Sequence, residues 1–305
     1  MNLLKKSALA IALSGAAMSA SASQFYIDTA GTGIGVAGLF DAAVCATCTG
    51  LKTEANIAYE SETVITLDGG SLVGDTIVTT GGLNIGGSLN AGNFGNNKID
   101  GFNPGSFSGG FTADETLIGA GSGFWGLSFS MELHGTVAAA SGLVISEVAY
   151  THGTIEVFAI VDDTDGGADG STFVDAINIF DLSVYGSSFD NPSNFEVFGA
   201  VSFSGNEDAN FADFFNIAGT GCDGDATQNS FSELDNCVPA MEISWIIDQN
   251  LNDEAASLSA DGLTASLTGN HNGSVSFNVV PEPASLLLLG AGLLGFAGRM
   301  RRKHV

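Results

Sequence analysis

The densest group of potential metal ligands is an acidic run broken by glycines, Asp162-Asp163-Thr164-Asp165-Gly166-Gly167-Ala168-Asp169-Gly170. Carboxylates on a loop that glycine allows to bend can wrap a calcium ion, which takes about six to eight oxygen ligands. An EF-hand register does not fit, because with Asp163 and Asp165 at its third and fifth positions the first ligand would be Val161. The run is a candidate calcium site through Asp163, Asp165 and Asp169, and the alternative is a solvated acidic hairpin loop. Calcium is the one cofactor that the sequence suggests.

Residues that could act as a catalytic nucleophile or base are sparse. A Gly-x-Ser-x-Gly elbow is missing, since Gly105-Ser106-Phe107-Ser108-Gly109 places Phe107 where the nucleophile would stand. His134, His152 and His271 are expected at the end of a strand, before a strand and in a turn. A glycosidase needs two carboxylates across a cleft, and the sequence singles out no such pair. The sequence therefore predicts a non-enzymatic protein, with a polysaccharide-degrading enzyme as an alternative.

The four cysteines, Cys45, Cys48, Cys222 and Cys237, fit an oxidising compartment. Cys222 and Cys237 flank a polar loop, and a disulfide that closes about 15 residues contributes about 3 kcal/mol in the chain-entropy model. Cys45 and Cys48 form the other natural pair, although four cysteines allow three connectivities. A redox role for this second pair would need a βαβ unit around it, which the surrounding sequence lacks. Structural disulfides are therefore predicted.

The elements that must position these residues are strands. The clearest alternation of apolar and polar residues runs over 125–134, and 241–247 repeats it. Further strands are expected at 154–161, 177–185, 195–203, 263–267 and 275–279, with weaker ones at 64–67 and 76–79. Asn270-His271-Asn272-Gly273 is typical of a hairpin turn, and 208–216 predicts one short helix. Many short strands with frequent turns predict an all-β fold, an antiparallel β-sandwich of jelly-roll type.

Aromatic side chains are further candidates for ligand contact, because they stack on the apolar faces of sugar rings. Trp125 and Trp245 fall on the apolar face of their strands and are predicted to be core residues. Tyr185 falls on the face opposite Leu182 and Val184, which makes it the better candidate for contact with a sugar.

The charge of residues 23–280 is strongly negative. Thirty-three of the 34 acidic residues lie there against Lys52 and Lys98, which leaves a net charge of −31. Nucleic acid is excluded as a partner, since phosphate binding needs clustered cations, and anionic membrane surfaces are excluded on the same ground. Such a surface attracts divalent cations and basic partners, and it keeps an exported protein soluble.

The N-terminus has the parts of a secretory signal peptide. A charged Lys5-Lys6 pair precedes a short apolar stretch at 7–18, and Ala20-Ser21-Ala22 has the small-x-small form that signal peptidase reads. Cleavage is predicted after Ala22, so that 1–22 is the signal peptide and Ser23 is the mature N-terminus.

The C-terminus places three features in a fixed order. These are a Pro-Glu-Pro motif at Pro281, Glu282 and Pro283, an apolar stretch at about 284–298, and a basic tail at 299–303 with Arg299, Arg301, Arg302 and Lys303. The apolar stretch would form a transmembrane helix of about 22 Å, whereas a comfortable span needs about 20 apolar residues. The basic tail would stay cytoplasmic under the positive-inside rule. A short, glycine-rich helix is a weak permanent anchor, which suits a segment that is cut away.

This arrangement closely resembles the PEP-CTERM sorting signal of Gram-negative bacteria that secrete exopolysaccharide. The resemblance implies processing by an exosortase, a membrane transpeptidase, with Pro281, Glu282 and Pro283 as recognition residues. It implies export, transient anchoring in the inner membrane and release to the cell surface or extracellular matrix. Residues 23–280 would then be the acidic extracellular domain, and 281–305 the sorting signal.

The mature N-terminus carries a second resemblance. Phe25-Tyr26-Ile27-Asp28-Thr29-Ala30-Gly31-Thr32-Gly33, followed by Gly38-Leu39-Phe40-Asp41-Ala42, is similar to the opening of the flocculation-associated class of PEP-CTERM proteins. Membership implies a non-enzymatic matrix or surface protein that associates with exopolysaccharide in flocs or biofilm. A calcium-dependent carbohydrate-binding module is the alternative.

Overall fold

The structure is a computed structural model of the 305-residue chain. It describes residues 22–28, 30, 48–90, 93, 96–100, 125–161, 175–191, 194–219, 221–222, 229–237, 241–250 and 254–280. Antiparallel strands make up most of this part, which confirms the all-β fold class.

The described strands are numbered in chain order. They are β1 (Phe25–Ile27), β2 (Ala55–Thr66), β3 (Thr76–Gly82), β4 (Lys98–Asp100), β5 (Trp125–Ser141), β6 (Val144–Val161), β7 (Asp175–Asn191), β8 (Asn194–Ser202), β9 (Phe215–Ile217), β10 (Glu242–Asn250), β11 (Glu254–Ala255), β12 (Ser257–Leu258) and β13 (Thr264–Val280). A 3-10 helix covers Ala209–Phe211, and the α-helix α1 covers Phe231–Asp235.

Eight of these strands form a closed sheet, because β5 pairs with both β3 and β6 and so joins the ends of the row. Around the ring the order is β2, β3, β5, β6, β7, β8, β10 and β13, and β13 returns to pair with β2. Neighbouring strands therefore follow chain order. A jelly roll instead joins two sheets through Greek-key connections. The predicted jelly-roll connectivity is wrong, and closure leaves these eight strands without a free edge.

The predicted turn at Asn270-His271-Asn272-Gly273 is also wrong, because β13 runs through it as one strand. Asn270 pairs with Glu60 of β2, and Gly273 pairs with both Ile57 of β2 and Gln249 of β10. A local preference for a turn is worth little against backbone pairing on both sides of the strand. His271 consequently lies in a central strand and not in a turn.

The helix predicted at 208–216 is reduced to a single 3-10 turn. Asp208 caps that turn by accepting a hydrogen bond from the Asn210 amide at 2.8 Å. From Phe215 onwards the chain becomes β9, which pairs with β1. The long-range partner therefore replaces the helix that the spacing of phenylalanines predicted.

The two ends of the closed sheet differ in what they carry. The tail pole is the end that contains Trp125, Asp175, Ser202, Glu242 and Val280. The distal pole is the opposite end, which contains Thr66, Thr76, Val144, Asn194 and Asn250.

Apolar side chains fill the half of the interior next to the tail pole, and the segment between β8 and β10 covers this end together with β1. The ring of Phe180 in β7 lies 4.9 Å from that of Phe215 and 5.3 Å from that of Phe231 in α1. Phe277 in β13 lies 5.1 Å from both Phe25 and Phe231. Edge-to-face and tilted contacts of this kind contribute about 0.5–1.5 kcal/mol each beyond the burial of area. We call these five residues the aromatic cluster.

Candidate functional site

Buried polar side chains enter the half of the interior next to the distal pole, where they lie among apolar residues such as Leu133, Ile145 and Phe195. A cavity of about 60 Å³ lies there. We call it the polar chamber and define it by Tyr59, Ser61, Thr63, Thr79, Tyr150, Gln249 and His271. Alternation along β2 places Tyr59, Ser61 and Thr63 on the same inward face as the apolar Ile57. The inner face of the strand thus changes from apolar at Ile57 to polar and becomes apolar again at Ile65.

Hydroxyl groups form a chain across one wall of the polar chamber. The Thr79 hydroxyl lies 2.7 Å from the Thr63 hydroxyl and 2.7 Å from the Tyr150 hydroxyl. On the other side the Tyr59 hydroxyl donates to the side-chain oxygen of Gln249. Burial raises the pKa of Tyr150 to about 12 and raises that of Tyr59 well above its usual value, so both phenols are uncharged at neutral pH.

His271 stands at the centre of the chamber wall. Its Nε2 lies 2.7 Å from the hydroxyl of Ser61, and its ring stacks at a tilt on Tyr59 with 4.8 Å between centroids. Nδ1 is buried and finds no hydrogen-bond partner among the described residues. Burial lowers the pKa of His271 from 6.5 to about 4, because the charged ring would lose its hydration. The imidazole is therefore neutral at neutral pH.

The Ser61–His271 pair has the separation of a catalytic nucleophile and its base. Two features differ from a catalytic triad. Ser61 is only 2% exposed, and within the described residues no carboxylate bonds Nδ1 to orient the ring. We therefore interpret Ser61 and His271 as part of the chamber wall and not as a catalytic pair.

A second group of polar residues lies on the outer face of β5 and β6. The rings of His134 and His152 stack with 4.8 Å between centroids and 4° between planes, and His134 lies 2.9 Å from the carboxylate of Glu132. The Ser130 hydroxyl donates to Glu156 at 2.7 Å. These residues border a groove of about 510 Å³. In the part of the chain that the structure describes, no three His, Cys, Asp or Glu side chains are placed to hold a metal ion.

The predicted core position of Trp245 and the predicted outward face of Tyr185 are confirmed, and contact of Tyr185 with a sugar stays a prediction. Trp245 is fully buried in β10, as a core residue should be. Tyr185 is 60% exposed on the outside of β7, and the half-exposed ring of Phe198 covers the neighbouring Gly186. The side chain of Trp125 lies outside the described residues.

Cys222 and Cys237 form a disulfide with 5.5 Å between their Cα atoms, which confirms this predicted pair. The bridge ties the end of α1 to the segment before it. Cys48 is also disulfide-bonded, and Cys45 lies outside the described residues.

The predicted calcium ligands Asp163, Asp165 and Asp169 lie outside the described residues. The strands on either side of them are paired up to Val161 and Asp175, which lie at the tail pole. The calcium site stays a prediction.

The predicted mature N-terminus and the end of the last strand lie side by side at the tail pole. The backbone nitrogen of Ser23 donates to the Phe277 carbonyl at 2.9 Å and lies 3.2 Å from the side-chain oxygen of Asn278. The Val279 amide donates to the Ser23 hydroxyl at 3.4 Å. The strand then ends at Val280, directly before Pro281.

The sequence predictions missed the polar chamber because the residues that define it come from five strands. Tyr59 and Tyr150 lie 91 positions apart in the numbering, and His271 was expected in a turn. One signal was present, since hydroxyl residues at Ser61 and Thr63 occupy the inward positions of an otherwise apolar alternation. Which residues would face them depended on closure of the sheet.

Within the described residues no helix is long and apolar enough to cross a membrane, and the predicted helix at 284–298 lies outside them. The motif at 281–283, the basic tail and Ala20 of the predicted cleavage site also lie outside them. A family model described as the PEP-CTERM protein-sorting motif matches residues 279–303. No curated protein and no solved structure matches the chain.

Proposed function

The chain carries a PEP-CTERM sorting motif, and from this premise we propose that its β domain is a non-enzymatic surface or extracellular matrix protein that associates with exopolysaccharide in flocs or biofilm. The motif indicates an exported protein that is anchored in the membrane before an exosortase processes it. The observation that carries the proposal is the match at 279–303, directly at the end of β13. The association with exopolysaccharide and the role in flocculation are tested by the experiment below.

The geometry of the domain supports attachment through one end, with the other end facing away from the membrane. Ser23 and Val279 are hydrogen-bonded neighbours, so the two predicted processing sites leave the domain at the tail pole. Val280, the last residue of β13, directly precedes the Pro-Glu-Pro motif. While the tail is in the membrane, the tail pole faces the membrane and the distal pole faces away from it.

Two properties of the domain support a matrix role. A net charge of −31 over residues 23–280 keeps the domain soluble outside the cell. The outer face offers Tyr185 and Phe198, whose exposed rings can stack on a polysaccharide.

The first experiment measures settling of aggregates in the native strain after deletion of the gene. Complementation uses the full chain, a version that ends at Val280, and a full chain with Pro281, Glu282 and Pro283 replaced by alanine. Ala284→Ser serves as the matched control next to the motif. We expect deletion to abolish flocs and only the full chain and the control to restore them.

Unchanged flocs after deletion would reject the matrix role. Restoration by the version that ends at Val280 would show that the role does not depend on sorting. A hydrolysis assay of the secreted protein on the strain's own polysaccharide separates the enzymatic alternative.

A further inference from the structure

We propose that the polar chamber binds a small, uncharged polyhydroxy compound of about the size of one monosaccharide unit. This inference goes beyond the proposed function and holds whether or not the protein acts in flocs. It rests on the size of the chamber, its hydrogen-bonding groups, its charge and its opening.

The size of the chamber fits a single sugar ring. A buried water needs about 10–15 Å³ of the volume that its centre can reach, so a cavity of about 60 Å³ holds about four to six waters. At about 30 Å³ of liquid volume per water, these occupy roughly 120–180 Å³. A guest that displaced them would be one small ring or polyol and not a longer oligomer.

The polar groups of the wall do not satisfy all of their hydrogen bonds with each other. The hydroxyl groups of Thr63, Thr79 and Tyr150 bond to one another. Nδ1 of His271 is buried and has no partner among the described residues. A buried polar atom without a partner destabilises the fold, so a water or a hydroxyl group of a guest is expected beside it.

The charges favour an uncharged guest. Burial keeps the phenols of Tyr59 and Tyr150 protonated and the imidazole of His271 neutral. None of the described lining residues is Lys or Arg, and Glu147 is the acidic one among them. An anion would meet no counter-charge in a strongly acidic domain, whereas a neutral polyol needs none.

The shape of the wall suits a ring with one apolar face. Phe195, Met131 and Leu133 line the chamber together with the ring of Tyr59. Ligand sites commonly combine apolar and aromatic lining with a few polar groups that fix orientation. A pyranose offers both kinds of surface, since its hydroxyls point outwards around the ring and its C–H groups form apolar faces.

The lining of the chamber reaches the surface near the start of β6, where Ser146 is exposed and Val148 is half-buried, and we place its opening there. This start lies at the distal pole. The same closed sheet encloses an apolar core in its other half, where Phe180, Leu182 and Val275 fill the interior. The fold itself therefore does not require polar residues in the chamber. A group of buried polar residues at the end that faces away from the tail is therefore suited to a guest from outside.

The test uses the full chain in mild detergent and isothermal calorimetry with glucose, galactose, mannose, N-acetylglucosamine and glycerol as separate probes. Thr79→Val removes the central hydroxyl and keeps the shape of the side chain. Thr80→Val is the matched control, since Thr80 is the next residue of β3 and alternates to the outer face. Val148→Trp narrows the opening without removing a polar group, and a thermal melt checks that each variant folds.

We expect at least one of the probes to bind saturably, with little dependence on salt. Thr79→Val and Val148→Trp should each weaken binding by about tenfold or more, which corresponds to about 1.4 kcal/mol. Thr80→Val should leave binding unchanged. No binding of any probe, or binding that survives both chamber variants, would overturn the proposal and leave the chamber as a water-filled part of the core. Normal flocs in a Val148→Trp strain together with lost sugar binding would separate this site from the matrix role.

Discussion

Acid should destabilise the folded domain through His271, and the size of the effect follows from its burial. Burial lowers the pKa of this imidazole to about 4, against 6.5 for the unperturbed side chain. One unit of pKa corresponds to about 1.36 kcal/mol, so the difference contributes about 3 kcal/mol to the pH dependence of unfolding.

The direction follows from proton linkage. Above about pH 7 His271 is neutral in the folded and in the unfolded chain, and its contribution is constant. As the pH falls from 6.5 towards 4, the unfolded chain binds a proton that the folded chain does not bind. The free energy of unfolding therefore decreases as the pH falls across this window. Below about pH 4 the contribution of His271 is constant again.

The assay is urea denaturation of the full chain in detergent at half-unit steps from pH 7.5 to 3.5, followed by the fluorescence of the buried Trp245. His271→Gln keeps a polar side chain beside Ser61 but cannot be protonated in this range. His152→Gln on the exposed outer face is the control. Burial raises the pKa of Asp100 and Asp181, so these two groups increase the free energy of unfolding as the pH falls towards the acid end of the range. For this reason each variant is compared only with the wild type at the same pH.

We expect the wild type and the His152→Gln variant to lose about 3 kcal/mol more than His271→Gln between pH 7 and pH 4. Equal losses in all three proteins would refute the reasoning, because the neutral state of His271 would then not depend on folding. A proton NMR titration of the ring with a midpoint near 6.5 in the folded chain would refute it independently.

The other predictions concern the disulfide, the core and the acidic run. Replacing both Cys222 and Cys237 by serine should lower the free energy of unfolding by about 3 kcal/mol, measured by urea denaturation, because the bond closes a separation of 15 residues; an unchanged midpoint would contradict this. Phe180→Ala should cost about 3–5 kcal/mol in the same assay, since its fully buried ring belongs to the aromatic cluster, and a loss below 1 kcal/mol would contradict the packing. Calcium at a hundred times its dissociation constant should stabilise the chain by about 2.7 kcal/mol and raise its Tm, and Asp163→Asn with Asp165→Asn should abolish the rise. A Tm that does not respond to calcium would reject the site.

Local patterns in the sequence predicted the elements well where a strand has one buried and one exposed face. The alternation around Trp245 correctly identified a strand with its tryptophan in the core, because side-chain burial in a strand has a period of two. The spacing of Cys222 and Cys237 likewise identified a disulfide. These features depend on residues close to each other in the chain.

Features that depend on distant partners were predicted wrongly. The Asn-Gly pair at 272–273 has the preference of a hairpin turn, yet β2 and β10 hold it in a strand from both sides. The spacing of phenylalanines in 208–216 predicts a helix at Phe215, whereas pairing with β1 places this residue in a strand and in the aromatic cluster.

The sequence by itself determined that the protein is exported and anchored in the membrane before processing, because the sorting motif is a property of consecutive residues. Only the tertiary structure decided that β5 pairs with β6 and β13 with β2, which closes the sheet. Closure brings Tyr59, Tyr150 and His271 around one chamber and separates it from the aromatic cluster. The physical reason is that strand pairing joins residues far apart in the chain, and the choice among pairings is made by burial and backbone hydrogen bonds over the whole domain.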